Sequence, residues 1–492
     1  MIRSKMFLNF THKKINKVLL LSPPVLTNKG KLDINPLPPI GLGYLASSVN
    51  DLCKVKILDC LINGWDNGES INKSLVRIGT SYEDIRKEII EFNPDLVGLN
   101  CQFSKQYSIY RDLLSIIKNI DSDIITITGG AHTTVCPNDM LQDKNCDFII
   151  LGEGEKSFRE FVKNINNTLE LYKIDGFGYK IGGEIIINEK NCYIDNLDDL
   201  KFPAYDLMGL EKYFGLKHSH GLRHKKRCVP IITSRGCPAK CIFCTAKCVW
   251  GNKFRARSVN NVIEEIRYLK SRYDIEEIMF EDDNLTADRK RAKLLFNRII
   301  EEGFDIVWDT PNGVGVWSLD EELIDLMKSS GCIKLNFPVE SGSQRVLDNI
   351  IKKPIKLSKV EKLINYCKKI NLDYGIFLVI GLPGETLKDM WKSIKFAAKM
   401  GVINPHISIA TPYPGSDLFN MCSDKGYLID SFSYDDLFIR SFSIETPDWN
   451  KNDLREFLLK ARIYLIVRKF ISNPLHVCKL IICKIVNVLK NK

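Results

Sequence analysis

Short apolar runs of strand length recur along this chain with amphipathic helical stretches between them, and this rhythm restricts the fold more than any other feature. Over residues 17–165 the runs are KVLLLSPP (17–24), VKILD (55–59), PDLVGLN (94–100), DIITITGG (123–130) and CDFIILGEGE (146–155). Between them, YEDIRKEIIEF places Ile85, Ile89 and Phe92 on one helical face, and a second helix is expected through Leu113, Ile116 and Ile117. Strands that are apolar on both faces are buried on both faces, so the expectation is a parallel, doubly wound, Rossmann-like sheet. Such sheets take ligands at the carboxyl ends of their strands, here at residues 22–24, 100–104, 129–133 and 152–155.

The rhythm returns from residue 228 with longer units. The runs are CVPIITS (228–234), EEIMF (276–280), DIVWD (305–309), IKLNFPV (333–339), YGIFLVI (374–380) and HISIAT (406–411). In SVNNVIEEIRYLKS, Val262, Ile266 and Leu269 recur at i, i+4 and i+7, which predicts a helix packed by one face. Six βα units predict an open, partial (βα)6 barrel over 228–440, with its chemistry on the loops after the strands. Residues 1–16 read as an N-terminal extension. Residues 166–227 read as a connector with a hairpin turning at Gly182-Gly183 and a Pro-punctuated crossing segment, FPAYDLM (202–208).

The 492 residues carry a formal charge of +10. Much of it sits in the basic helical region 441–492, where ten Lys/Arg after residue 450 stand against Asp453 and Glu456. In LHVCKLIICKIVNVLKNK, helical winding puts Lys479, Lys484 and Lys490 opposite a broad apolar face. Such a helix packs on the barrel or lies on an anionic membrane surface. No secretory signal and no uninterrupted apolar run of about 18 residues is visible, so no spanning helix is expected. Sixteen Cys in such a chain read as reduced thiols plus a metal site, and the expected location is the cytoplasm, either free or peripheral to the inner membrane face.

The metal site is the loop after the first barrel strand. Cys237, Cys241 and Cys244 stand in RGCPAKCIFCTA with spacing C-x₃-C-x₂-C. Three thiolates on one short loop can ligate three corners of a 4Fe–4S cubane and leave the fourth iron open. A zinc site with Cys248 as fourth ligand is the alternative that spacing allows.

The spacing resembles the radical S-adenosylmethionine (SAM) superfamily, and the resemblance extends beyond the loop. Phe243 stands where that family has an aromatic beside the adenine. IMFEDDN resembles its second-strand acidic motif, with Glu281, Asp282 and Asp283. NFPVESGSQRVLDNIIKK resembles its fourth-strand segment, with Glu340 and Ser341 toward ribose or carboxylate. GIFLVIGLPGET resembles its adenine-side motif, with Gly381 and Glu385. The N-terminal segment ITGGAHTTVCPNDMLQDKNCDFIILGEGEKSFREFV, with PLPPIGLGYLA and PDLVGLN, is similar to the cobalamin-binding domain that precedes many radical enzymes. The resemblance implies cobalamin contacts from Pro38, Pro39, Leu42, Ser104, Gly129, Gly130, His132, Gly152 and Glu153, with Gly129-Gly130 letting the nucleotide tail approach the backbone. The chain departs from the D-x-H-x-x-G pattern of cobalt-ligating domains, because no His lies between His12 and His132.

The implied cofactors are a 4Fe–4S cluster, SAM and cobalamin. The implied activity is methylation of an unactivated carbon through a 5′-deoxyadenosyl radical and methylcobalamin. Radical oxidative cyclisation with the same cofactors and tRNA methylthiolation remain alternatives. The latter would need a second cluster drawn from Cys53, Cys60, Cys101, Cys136 and Cys146. A zinc-stapled binding protein is the non-enzyme alternative. Expected partners are a small-molecule or lipid-like substrate, an electron donor such as flavodoxin or ferredoxin, and a membrane surface at 473–492; nucleic acid is not among them.

Overall fold

The computed structural model describes residues 14–29, 34, 36–73, 75–216, 218–438 and 441–472. Strands β1 (Lys17–Ser22), β2 (Lys54–Asp59), β3 (Leu96–Asn100), β4 (Ile125–Gly129) and β5 (Phe148–Ile150) form a parallel sheet. Its order is β7-β6-β5-β4-β3-β1-β2, where β6 (Phe177–Ile181) and β7 (Glu184–Ile187) are an antiparallel hairpin. The turn at Gly182-Gly183 is as expected, but the hairpin does more than connect. Phe177, Tyr179 and Ile181 alternate inward onto the core, and Phe177 stacks on Phe148 at 5.4 Å, so the hairpin completes the first sheet. After β2 the chain crosses to the far side of β1, so the topological switch lies between β1 and β3.

The second sheet runs in sequence order: β8 (Cys228–Ile231), β9 (Glu277–Phe280), β10 (Val307–Asp309), β11 (Cys332–Glu340), β12 (Asp373–Ile380) and β13 (His406–Ile409). All neighbours are parallel, which makes an open six-stranded barrel. Several of the helices between strands start where short polar side chains satisfy free N–H groups. Ser258 accepts from Asn261 N at 3.2 Å to open helix Val259–Tyr273, and Ser81 accepts from Asp84 N at 3.1 Å to open Tyr82–Phe92. Val262, Ile266 and Leu269 are fully buried, as their spacing predicts.

Two features were not legible in the pattern. Val25–Asn28, Gly68–Ser70 and Leu75–Ile78 form a small antiparallel sheet, with Leu75–Ile78 in its centre. These strands are too short to show a period. The crossing segment 202–208 is an anchor: Tyr205, 1% exposed, donates to Glu265 at 2.8 Å on a barrel helix. Helix Lys451–Ser472 buries Leu454, Phe457, Ala461 and Leu465 against the barrel, with Phe457 edge-on to Trp391. Its other face leaves Leu459, Ile463, Ile466, Val467, Phe470 and Ile471 exposed. Among the described residues no helix is long and apolar enough to cross a membrane. The proposed membrane segment 473–492 lies outside the described residues.

Candidate active site

The carboxyl ends of the first sheet face the mouth of the barrel across a cavity of about 650 Å³. Leu20 and Ser22 of β1, Gly98–Asn100 of β3 and Ile127–Gly129 of β4 line one side, at the switch point where doubly wound sheets take ligands. Ile232, Ser234, Glu281, Asp283, Asn312 and Tyr413 line the other.

Of the residues expected on the cobalamin side, Pro38, Pro39, Leu42, Ser104, Gly129, Gly130, Gly152 and Glu153 all line this cavity. His132 is not among the lining residues. It is 1% exposed and held by Ser104 through Nδ1 at 2.9 Å, between the rings of Tyr107 and Tyr434. Burial pushes its pKa down to about 4. The reason for the glycine pair also differs from expectation. A Cβ on Gly129 would make only an ordinary 3.5 Å contact with the Ile150 carbonyl. Gly130 has φ +103°, and a Cβ there would lie 2.6 Å from both Asn100 Oδ1 and the Cys101 carbonyl. The chain itself therefore demands a glycine at 130.

Glu153 has a structural task. It is buried and accepts from Arg235 Nη1 at 3.0 Å, Arg255 Nη1 at 2.7 and 2.9 Å, and Ile194 N at 2.8 Å. Glu155 pairs with the other side of Arg235 at 2.5 Å. The GEGE turn of the first domain is thus bolted to the residues that flank the cysteine loop. Arg235 belongs to a two-residue strand, Ser234–Arg235, that pairs antiparallel with Arg255–Ala256. Gly236 follows with φ +84°, where a Cβ would meet the Lys253 carbonyl at 2.7 Å.

Cys237, Cys241 and Cys244 follow that turn and feel one another's charge. Burial pushes the Cys241 thiol up to about 12 and Cys244 up to about 11. Such thiols give up their protons when bound iron compensates the charge. Cys248 is turned away and donates to the Gly415 carbonyl at 3.2 Å. Among the described residues no three His, Cys, Asp or Glu gather to hold a single metal ion. Three thiols spread along one loop suit the corners of a cubane. The charge of the buried Lys353 offsets part of that rise at Cys237, Cys241 and Cys244, and its Nζ donates to Glu340 at 2.7 Å.

The remaining SAM-side residues divide by task. Asp283 lines the cavity, accepts from Gly236 N at 3.2 Å and stands beside Cys237 and Cys244. Phe243 is half-buried against the barrel core. Glu340 follows a register shift in β11 and has φ +66°, beside the cysteine loop. Asp282 faces away from the cavity: it accepts from Thr233 N at 3.1 Å, from Thr233 Oγ1 at 2.8 Å and from Ser234 Oγ. Ser341 is spent on its own loop, accepting from Ser343 N at 3.1 Å and sharing a hydrogen bond with Ser393. Glu385 is buried and accepts from Gly381 N at 2.9 Å and Leu382 N at 3.2 Å, tying its turn. Glu281 lines the cavity but turns from the cysteines toward His220.

Sequence reasoning missed Lys353, Arg235, Arg255 and His220. The first two stand inside the quoted motifs NFPVESGSQRVLDNIIKK and RGCPAKC. His220 carries no sequence signal.

Comparison with known proteins agrees with this geometry. Residues 231–397 match the Radical SAM superfamily, and residues 35–162 match the B12 binding domain. The chain is 32% identical to cytidylyl-2-hydroxyethylphosphonate methyltransferase of Streptomyces wedmorensis, over 91% of this chain and 89% of that protein. It is 34% identical to an uncharacterized methyltransferase of Pyrococcus horikoshii, over 85% of each. The fold is also that of the cobalamin-dependent SAM radical enzyme OxsB, solved with aqua-cobalamin and SAM, with TM-score 0.70 at 14% identity over 97% of this chain and 75% of that one.

Proposed function

Because the chain belongs to the cobalamin-dependent radical SAM family, with a B12-binding domain followed by a radical SAM domain, we propose that it methylates an unactivated carbon of a small molecule held in the cavity between its two domains. The observation that carries this is the cavity itself. One space is bounded by the switch point of the first sheet and by the barrel mouth beside the cysteine loop.

The residues present fit the cofactors. Cys237, Cys241 and Cys244 would hold the cluster, and its open iron would take SAM. Asp283, beside Cys237, would meet the amino group, and the Glu340–Lys353 pair, beside Cys241, would meet the ribose and carboxylate end. Leu20, Ile127 and Gly129 of the first sheet and Leu42 of helix Ile40–Val49 would hold cobalamin. Bound there, the cluster and SAM supply a hydrogen-abstracting radical, and cobalamin supplies the methyl group. The protein's own part is positional. The ion network of Glu153, Arg235, Glu155 and Arg255 fixes the first domain against the cysteine loop. Apolar side chains including Leu45, Ile150 and Phe158 line the space between. We further infer that a flavodoxin- or ferredoxin-type donor reduces the cluster.

The test uses anaerobically reconstituted protein and SAM carrying a deuterated methyl group. Candidate substrates begin with the cytidylyl ester of 2-hydroxyethylphosphonate, the compound named in the 32% identical relative. A product bearing the labelled methyl supports the proposal. An unlabelled product that has lost hydrogen would instead indicate oxidative cyclisation. Failure to form any 5′-deoxyadenosine would overturn the radical reading.

A further inference from the structure

The antiparallel pair His218–Ser219 and Gly221–Leu222 turns at His220 over the barrel mouth. There His220 Nδ1 and Glu281 Oε2 are 2.9 Å apart, and Asn312 Nδ2 donates to the same carboxylate oxygen at 3.4 Å. Asn312 Nδ2 also reaches the Glu281 and Asp282 carbonyls, at 3.3 and 3.4 Å. All three side chains line the cavity. The Glu281 side chain is only 9% exposed, yet its other oxygen, Oε1, has no hydrogen-bond partner. Behind it lies Asp309, 3% exposed, whose Oδ1 is also unpartnered.

A buried carboxylate oxygen without a donor costs free energy comparable to a lost hydrogen bond, and a ligand that supplies the donor recovers it. We propose that Glu281, His220 and Asn312 anchor a hydroxyl group of the substrate, with its O–H donating to Glu281 Oε1. This rests on the methyltransferase reading only in taking the cavity as the place where substrate binds.

Two observations select a hydroxyl over an ammonium. Burial opposes the imidazolium of His220, but the hydrogen bond and charge of Glu281 outweigh it and hold its pKa above the usual value. His220 thus faces Glu281 as its counter-charge, with Asp309 pulling the same way. Beside that acceptor stands the imidazole, a donor through the ring nitrogen not engaged with Glu281. A hydroxyl both donates and accepts, whereas an ammonium only donates and would meet the imidazolium. The site lies on the barrel side of the cavity, apart from the cysteines. A carbon carrying the hydroxyl would then face the space shared by both domains.

The test measures binding without turnover, so failure of methylation and failure of this site are read separately. The probes are fluoropropanol, fluoropropylammonium and fluoropropane. Each is titrated by fluorine NMR onto the protein loaded with cluster, SAM and cobalamin. Wild type is expected to bind the alcohol in preference to the other two. Glu281→Gln should weaken it about tenfold or more, the effect of losing one hydrogen bond to a charged acceptor. His220→Gln leaves the Glu281 charge uncompensated and should turn the preference toward the ammonium. That variant keeps the proposal testable even if Glu281→Gln disturbs the loop. Equal binding of the three probes, no detectable alcohol binding, an ammonium preference in wild type, or no change in either variant would overturn it.

Discussion

Glu153→Gln is the perturbation that tests how the two domains are joined. The side chain is 1% exposed and serves two guanidiniums, those of Arg235 and Arg255. Glutamine preserves the shape and removes the charge. Arg235 would keep Glu155, but Arg255 would keep only the carbonyls of Ile194 and Trp250, at 2.7 and 2.8 Å. Removing one partner of a buried ion pair costs about 3–5 kcal/mol, because a desolvated charge is left uncompensated. That is a large share of the about 5–15 kcal/mol by which folded proteins are stable. Urea unfolding followed by circular dichroism reads the loss, and iron retained per chain reads its effect on the cysteine loop, which begins two residues after Arg235. The double variant Glu153→Met, Arg255→Met removes both charges and should recover much of the loss, since apolar replacement of a buried pair is often close to neutral. A single variant as stable as wild type, or a double variant no better than the single, would refute the reasoning.

Cys241→Ala should abolish iron binding and 5′-deoxyadenosine formation, while Cys248→Ala should retain iron, because that thiol faces Gly415. Electron paramagnetic resonance of the cob(II)alamin-loaded protein should lack nitrogen superhyperfine splitting, since His132 is outside the cavity lining; such splitting would place a nitrogen on cobalt. Burial raises the Glu385 carboxyl from its ordinary 4.5 to about 8. Its contribution to stability is therefore present at low pH and lost as pH rises through that interval. Glu385→Gln should accordingly gain stability relative to wild type between pH 5 and 8, read as unfolding midpoints. Deleting 473–492 should abolish salt-sensitive binding to anionic vesicles with iron content unchanged; aggregation or loss of iron would make the tail structural instead.

Much of the architecture was legible because it is written in local pattern. All eleven expected strands form, over residues that agree with the pattern within a few positions, because apolar runs bury their faces wherever they are placed. β2 and β3 illustrate it: each follows a polar boundary and ends at the first residue that can leave the sheet, Asp59 and Asn100. The cysteine loop was legible for a related reason. Three cysteines within eight residues need no distant partner to be recognised.

The acidic motif shows where local reading stops. Glu281, Asp282 and Asp283 are consecutive and looked alike, yet they turn to three different neighbours: His220, the Thr233-Ser234 backbone turn, and the cysteine loop. They stand on the loop just after strand Glu277–Phe280, and only the packed barrel decides what each one meets. The sequence by itself determined the two α/β layers, the strands that build them and the clustering of Cys237, Cys241 and Cys244 on one loop, because these follow from short-range periodicity and spacing. The tertiary structure alone decided that Glu153 meets Arg235 across 82 residues and Arg255 across 102, and that His220 meets Glu281 across 61. Those pairs form because burial strips water from a charge and leaves it only the counter-charge that folding brings alongside, and no local pattern encodes which one that is.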